Sequence, residues 1–241
     1  MMPANLCRIA AYFALFWGMF ILLQCGKTDI DQPNAQVKII NAHPVISTVY
    51  ANLNNYEWVE GVSYNNATPQ YHAIPATNQN NIGLYDAQSN NRLLNLLIKQ
   101  VKTNVYYSLL LLPHTLYPLD AVWLTDSMPA TPADSIKLRL INASPDAGEL
   151  LLFSHLLPQD TLIQGVTFNP ANPAAITGFA KLAPASAAHN LTILNALTAD
   201  TLLQCPNLLL QAGGSYSLVL SGYVSEQTAL PLTYLLITHQ P

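Results

Sequence analysis

The sequence predicts an all-β protein, with two tandem immunoglobulin-like β-sandwich domains that follow an N-terminal signal and anchor segment. Three observations predict this class. Residues 9–25 form an uncharged apolar run that ends at a cysteine, and sequence blocks of the first half recur in the same order in the second half. Short apolar segments also alternate with Asn, Pro, Gly and Asp turns about every 8 to 12 residues, which is typical of a sandwich.

The N-terminal segment has the pattern of a secretory signal. A short, weakly positive lead that ends at Arg8 is followed by the uncharged run Ile9–Gln24. The run is somewhat short for a membrane-spanning helix, which needs roughly 20 apolar residues. We therefore expect residues 1–24 to be a signal peptide. An uncleaved anchor helix and an ordinary secreted protein cleaved nearby are the alternatives.

The end of this segment points to a lipid anchor. Leu22-Leu-Gln-Cys25 resembles a bacterial lipobox, in which the cysteine is acylated and becomes the mature N-terminus. Acyl chains at Cys25 would hold the protein on a membrane, since each buried CH₂ contributes about 0.8 kcal/mol. Gly26 follows the cysteine, which by resemblance to Gram-negative lipoproteins predicts the outer membrane. The segment leaves open whether the protein faces the periplasm or the exterior.

Composition narrows the partners. The chain has 13 acidic and 9 basic residues, and its longest basic run is Lys99-Gln-Val-Lys102, so nucleic acid and anionic lipid are not expected as electrostatic partners. Of the three cysteines, Cys7 leaves with the signal, Cys25 carries lipid and Cys205 remains as a small apolar core residue. No disulfide is therefore predicted.

The second half of the sequence repeats the first in five ordered blocks. The pairs are Lys38–Pro44 with Arg139–Pro145, Gly61–Ala67 with Gly165–Ala171, Asn81–Ala87 with Asn190–Ala196, Tyr107–Leu111 with Tyr216–Leu220, and Trp123–Thr125 with Leu236–Thr238. Their spacing drifts by a few residues, as expected for loops of different length on one architecture. Two homologous domains are the simplest explanation.

The domain boundaries follow from the repeats and from a proline-containing segment. Residues 127–134 contain two prolines and lack apolar periodicity, so we predict a linker there. The predicted order is a stalk at 25–35, a first domain at 36–126, the linker, and a second domain at 135–241.

The elements within each repeat are predicted to be strands. Lys137-Leu-Arg-Leu-Ile alternates polar and apolar residues with period two. Arg92–Lys99 has a leucine pattern that also fits a helix, but its counterpart contains Pro206, which is excluded from a helix interior. Both segments are therefore predicted to be strand–turn–strand. Gly213-Gly214 is predicted to be a turn between two strands.

These motifs resemble the bacterial family described as domain of unknown function 4397. The resembling segments are Val37–Pro44, Ile141–Ala147, Leu210–Val219, Val122–Asp126 and Leu232–Thr238. The resemblance implies tandem β-sandwiches in a secreted or lipid-anchored protein. It supplies no catalytic residue.

The sequence does not predict a catalytic, metal or cofactor site. The six histidines are scattered singly, without the spacing of zinc ligands. Two close carboxylate pairs exist, Glu57 with Glu60 and Asp146 with Glu149. The first pair aligns with Thr161 and Gln164 in the repeat, which predicts exposed strand positions rather than glycosidase chemistry.

A surface binding site is predicted in the first domain. Aromatic residues and asparagines concentrate between residues 50 and 71, and most of these aromatic positions align with apolar residues of the second domain. Tyr56 and Tyr71 do not, so they are the better surface candidates, together with Asn54 and Asn55.

Four Asp-Ser/Thr-aliphatic triplets resemble an O-glycosylation acceptor of exported bacterial proteins. Their hydroxyl residues are Ser127, Ser135, Thr161 and Thr201, which lie at the linker or in predicted turns. Glycan on some of these residues is therefore predicted.

Taken together, these features predict a non-enzymatic, lipid-anchored protein of the cell envelope that binds another envelope protein or a glycan. A structural or assembly component of the envelope is the alternative. An unrecognised glycan-active hydrolase is the third possibility.

Overall fold

A computed structural model describes residues 34–114, 119–126, 135–154, 161–168, 178–182, 188–225 and 230–239. All regular elements within these ranges are β-strands, so the all-β prediction is confirmed. In the part of the chain that is described, no helix has the length and apolar character needed to cross a membrane. The predicted signal peptide, Cys25 and the linker at 127–134 lie outside the described residues.

The described residues of the first sandwich form nine strands. They are β1 (Asn34–Asn41), β2 (Thr48–Leu53), β3 (Tyr56–Ser63), β4 (Asn66–Ala67), β5 (His72–Pro75), β6 (Gln79–Asp86), β7 (Arg92–Lys99), β8 (Tyr106–Leu112) and β9 (Asp120–Asp126). One sheet has the order β4-β1-β8-β9, with β5 also paired to β1, and the other has the order β3-β2-β6-β7.

The second sandwich has the same plan. Its strands are β10 (Ile136–Asn142), β11 (Leu150–Ser154), β12 (Thr161–Val166), β13 (Ala180–Leu182), β14 (His189–Asn195), β15 (Thr201–Leu208), β16 (Ser215–Ser221) and β17 (Thr233–His239). The sheets have the orders β13-β10-β16-β17 and β12-β11-β14-β15. β1 pairs in parallel with β8, as β10 does with β16, and all other strand pairs are antiparallel.

Each sandwich has its own apolar core. Val37, Ile39 and Leu109 of one sheet pack with Val49 and Leu84 of the other in the first sandwich. The second core contains Leu138, Leu218 and Ile193 in corresponding strands. Full burial of such a side chain contributes about 1.5–3 kcal/mol, so these two clusters are the main source of sandwich stability.

A third apolar cluster joins the two sandwiches. Ile40, Leu110 and Val122 of the first sandwich pack against Ile141 and Val219 of the second. Neighbouring side chains of β1 point to opposite faces, so Ile39 enters the first core while Ile40 enters this cluster. The contact between these two sheets is called the junction below. Within the described residues, each sandwich thus contributes one of its two sheets to the junction.

Two strands differ from the prediction. β7 and β15 each form one strand whose pairing is shifted by a β-bulge but not broken by a turn, so the turn predicted inside them is wrong, although the choice of strand over helix is right. Both lie at the edge of their sheets, and the exposed Pro206 lies at a bulge of β15, where Pro206 and Asn207 together face Asn190.

Candidate functional site

Three of the four predicted surface residues lie together. Asn54 and Asn55 form the two-residue turn between β2 and β3, both with positive φ (51° and 71°), and Tyr56 begins β3 with 79% of its surface exposed. Such turns favour asparagine. The Asn54 side chain accepts a hydrogen bond from the backbone N–H of Asn81 (2.9 Å), which fixes the turn against β6.

Tyr71 lies elsewhere, at the junction. It is half-buried between β4 and β5, and its ring packs edge-on against Tyr106, with 5.0 Å between centroids. Its hydroxyl lies within hydrogen-bonding distance of Asp126 (3.0 Å) and His239 (2.7 Å), residues that end β9 and β17. The structure therefore does not join Tyr71 to the Tyr56 turn in one surface patch.

The junction contains a buried ion pair. Arg139 Nη2 lies 2.8 Å from Asp126 Oδ1, and the two side chains are 4% and 0% exposed. Asp126 Oδ2 accepts hydrogen bonds from Ser108 (2.7 Å) and Tyr71 (3.0 Å). The Arg139 guanidinium also lies over the Phe179 ring, 4.6 Å from its centroid. The pair thus links the two sandwiches and has hydrogen-bond partners on both sides.

The hydrogen bonds continue from the ion pair into a closed ring. Arg139 donates to Ser217 Oγ through Nε (3.0 Å) and Nη2 (2.8 Å), and Ser217 Oγ lies 2.7 Å from His239 Nε2. Because the Ser217 oxygen accepts from arginine, its proton is free to go to His239 Nε2. That leaves the proton of a neutral His239 on Nδ1, where it meets Tyr71, whose hydroxyl donates to Asp126.

The electrostatics agree with a neutral histidine. Burial lowers the pKa of His239 to about 4, which outweighs the opposite effect of Asp126. Burial and the nearby Asp126 raise the pKa of Tyr71 well above its usual value. At neutral pH both groups are therefore uncharged, and each hydrogen bond in the closed ring has one donor and one acceptor.

An open groove lies between the edges of the two sheets of the first sandwich. Its volume is about 460 Å³, and it runs between β3 and the segment that contains β4 and β5. Trp58 borders it, with the indole N–H donating to the Ala73 carbonyl (3.0 Å) and the ring edge-on to His72. Glu60, Ser63, Asn66 and Gln70 add polar side chains to the lining. Trp58 aligns with the apolar Leu162 of the repeat, yet it is only half-buried and packs at the margin of the core.

The predicted glycosylation sites differ in exposure. Thr161 and Thr201 are exposed at the first positions of β12 and β15. Ser135 is buried, with 1% of its surface exposed. Ser127 lies outside the described residues. A transferase acting on the folded chain would therefore reach the two threonines and not Ser135.

The carboxylate pairs do not converge on a cleft. Glu57 and Glu60 are both exposed on β3. Asp146 caps a turn instead, accepting from the N–H groups of Val224 (2.9 Å) and Ser225 (3.1 Å). Within the described ranges, no group of three or more His, Cys, Asp or Glu side chains is arranged to hold a metal ion.

Sequence reasoning missed the junction, although a signal for it was present. Lys38 and Arg139 occupy the same position in the first repeated block, and Ser108 and Ser217 the same position in the fourth. In the structure Lys38 pairs with Ser108 across the sheet, and Arg139 with Ser217. A polar residue repeated inside an apolar strand indicates a specific polar contact, because a buried polar group must be paired.

Comparison with known proteins supports the family resemblance. Residues 35–153 match the model of the family described as "Domain of unknown function (DUF4397)", which confirms the resemblance predicted from the motifs. The match covers the first sandwich and the first two strands of the second. The resembling segments Leu210–Val219 and Leu232–Thr238 lie beyond it. A search of curated proteins found no match to the chain.

Two solved structures share a broad likeness with the chain. One is the family CBM26 module CBMbc of Eubacterium rectale Amy13K in complex with maltoheptaose, with 8% identity and a TM-score of 0.23 over 86% of this chain and 98% of that one. The other is a putative cell adhesion protein of Bacteroides eggerthii, with 9% identity and a TM-score of 0.21 over 87% and 96%. Scores this low carry no argument about function.

Proposed function

We propose that this chain, which resembles the DUF4397 family over residues 35–153, is a non-enzymatic protein of the cell envelope that binds a glycan or protein partner. A lipid on Cys25 anchors it to the outer membrane in this proposal. The groove between β3 and β4–β5 is the observation that supports binding. It combines an open volume of about 460 Å³ with aromatic and polar side chains. Ligand sites have this mixture of apolar walls and a few polar groups.

The chemistry of the groove favours a neutral glycan over a charged partner. Amide and hydroxyl groups of Ser63, Asn66 and Gln70 both donate and accept hydrogen bonds, as sugar hydroxyls do. The rings of Trp58 and His72 offer apolar faces beside them. Among its described lining residues, Glu60 is the single carboxylate, and lysine and arginine are absent.

A non-enzymatic role is supported by the surroundings of three described residues that resemble a catalytic triad. Ser217, His239 and Asp126 are the residue types of a hydrolase triad, and Ser217 Oγ lies 2.7 Å from His239 Nε2. However, their exposed fractions are 0%, 2% and 2%. The Ser217 hydroxyl is also held by Arg139. A substrate cannot approach this serine, so the three residues hold the junction together.

Binding in the groove is tested with a matched pair of glutamates on one strand. Glu60 lines the groove, whereas Glu57 lies on the same strand outside its lining, and both are exposed. The full chain in detergent micelles is screened against an array of neutral and acidic envelope glycans and in a pull-down from envelope extract. Glu60→Ala and Ser63→Ala should weaken capture of the recovered ligand about tenfold, and Glu57→Ala should leave it unchanged. Equal effects of Glu60→Ala and Glu57→Ala would refute groove binding.

A structural role in the envelope is the second candidate, and the junction favours it. The apolar cluster and the Asp126–Arg139 pair hold both sandwiches in one body, which suits a spacer that keeps a fixed length above the membrane. A spacer tolerates groove variants but not junction variants. Envelope defects caused by Arg139→Met and not by Glu60→Ala would therefore favour this role over binding.

A further inference from the structure

A second open pocket lies beside the groove, at the edge of the junction. It has a volume of about 550 Å³ and shares Pro69 and Gln70 with the groove. Gln36 and Lys38 of β1, Tyr71, Tyr106 and Thr238 complete its lining, so both sandwiches contribute to it. Its size falls in the usual range of small-molecule sites, roughly 300–1,000 Å³.

Lys38 is the unusual residue of this pocket. The residue is 6% exposed, yet its ammonium group has weak partners. Its nitrogen lies 3.4 Å from the Pro69 carbonyl and 3.5 Å from the Thr238 carbonyl, and 4.9 Å from the centre of the Tyr71 ring. Since an ammonium group has three protons to donate, Lys38 retains capacity for a stronger acceptor.

The charges around Lys38 do not balance. Asp126 forms its close ion pair with Arg139 through Oδ1, and its Oδ2 accepts from Ser108 and Tyr71. Among the described residues Lys38 has no ion pair within 4 Å, and the described lining of the pocket contains no carboxylate. The junction thus buries two cations against one anion, while buried charges in proteins are normally paired. Burial accordingly lowers the pKa of Lys38.

We infer that this pocket binds the carboxylate of an acidic sugar residue, with Lys38 as its counter-ion. One carboxylate supplies the single negative charge that the junction lacks. The other lining groups are the amides of Gln36 and Gln70, the hydroxyls of Tyr106 and Thr238, and two aromatic rings. These neutral groups suit the hydroxyls and apolar faces of a sugar ring. The inference stands on the pocket alone and does not depend on what the groove binds.

The test compares two sugars that differ in charge. Titration calorimetry on the full chain in detergent micelles measures methyl glucuronide against methyl glucoside, with acetate as a third probe. We expect the glucuronide to bind at least tenfold more tightly than the glucoside or acetate. Equal affinity for the two sugars would overturn the role of charge. Equal affinity for acetate and glucuronide would overturn the role of the sugar.

Two lysine variants assign the effect to the pocket. Lys38→Met keeps an unbranched apolar stem of about the same length but removes the ammonium group, and Lys102→Met makes the same change at an exposed lysine. Lys38→Met should abolish the preference for glucuronide, whereas Lys102→Met should retain it; retention in Lys38→Met refutes the inference.

Without ligand, Lys38→Met should unfold at the same or a higher temperature than the native chain, because it removes an unpaired buried charge. Glucuronide should raise the melting temperature of the native chain and not that of the variant. Lys38→Gln repeats the comparison with a polar side chain.

Discussion

Removal of the Arg139 side-chain charge should destabilise the whole protein. Arg139→Met leaves Asp126 buried, 0% exposed in its side chain, without its 2.8 Å cationic partner. It also removes both donors to Ser217. Breaking a buried pair from one side costs about 3–5 kcal/mol, because the remaining charge has lost both water and its partner. The apolar stem of methionine fills part of the space, so the cost comes mainly from Asp126.

Urea unfolding followed by tryptophan fluorescence measures this cost. With a denaturant slope of about 2 kcal/mol per molar, a loss of about 4 kcal/mol lowers the unfolding midpoint by about 2 M. Trp123 is a suitable reporter since it lies on β9 and stacks on Tyr107, 4.9 Å between centroids. A calorimetric scan should show the same order of stability.

Two further variants make the prediction sharp. Arg92→Met makes the same substitution at the exposed first residue of β7, where a change within about 0.5 kcal/mol is expected. Asp126→Asn combined with Arg139→Met also removes the carboxylate charge that has lost its close partner and should recover part of the loss, as coupled residues do. A loss below about 1 kcal/mol for Arg139→Met, or a double variant as unstable as the sum of its parts, would refute the reasoning.

Three other outcomes are expected. Burial lowers the pKa of His239 in the folded chain to about 4, below the usual histidine value of 6.5. The unfolded chain therefore binds the extra proton, and stability should fall as pH decreases from about 6.5 to about 4, by up to roughly 3 kcal/mol. His239→Gln cannot take up this proton, and an equally steep decline in that variant during acid titration of unfolding would disprove the assignment. Cys25→Ala should give a folded protein that leaves the membrane fraction in a carbonate wash, and its retention there would rule out lipid anchoring. Intact-mass measurement of native mature protein should show glycan on Thr161 or Thr201 that disappears in the Thr→Ala variants; a mass equal to lipid plus polypeptide would exclude it.

The fold class could be predicted from the sequence because the alternation of polar and apolar residues that marks a strand is visible within a few consecutive residues. Alternating segments such as β10 and the turn residues between them set strand positions, and the repeated blocks fall at equivalent places in the two sandwiches. Pro206 correctly excluded a helix from β15, but the turn predicted inside β7 and β15 is absent from both strands. An edge strand accommodates a proline at a bulge, and a register shift of β15 lies at Pro206 and Asn207.

The junction was harder to predict, since it depends on contacts between residues far apart in sequence. β8 contains the uninterrupted run Leu109–Leu112, and β16 contains Leu218–Leu220, all buried. A strand with one face in water alternates, whereas a continuous apolar run is typical of a strand that is buried on both faces. The runs therefore indicated a second covered face, but not which surface covers it. Periodicity likewise cannot place Tyr71 beside Asp126.

The candidate sites differ in the same way, since one is built from consecutive residues and the other from residues far apart in sequence. Asn54, Asn55 and Tyr56 are consecutive, so a two-residue turn brings them together and sequence reasoning could group them. The pocket around Lys38 needs Thr238, 200 residues further along the chain. Spacing along the sequence does not predict such a contact. The sequence feature that indicated the pocket was Lys38 itself, a charged residue inside an otherwise apolar strand.

The polar ring at the junction explains why two apolar sheets meet in one register. Aliphatic side chains such as Ile40, Leu110 and Val219 pack with little directional preference, so the apolar cluster alone permits sliding between the sheets. The Asp126–Arg139 pair and the hydrogen bonds around it are satisfied in one arrangement, and a shift would leave buried polar groups unpaired. Because residues of both sandwiches line the Lys38 pocket, that pocket exists only in this arrangement. A ligand bound there would therefore stabilise the docked sandwiches, and the docking would in turn raise the affinity for the ligand by the same free energy.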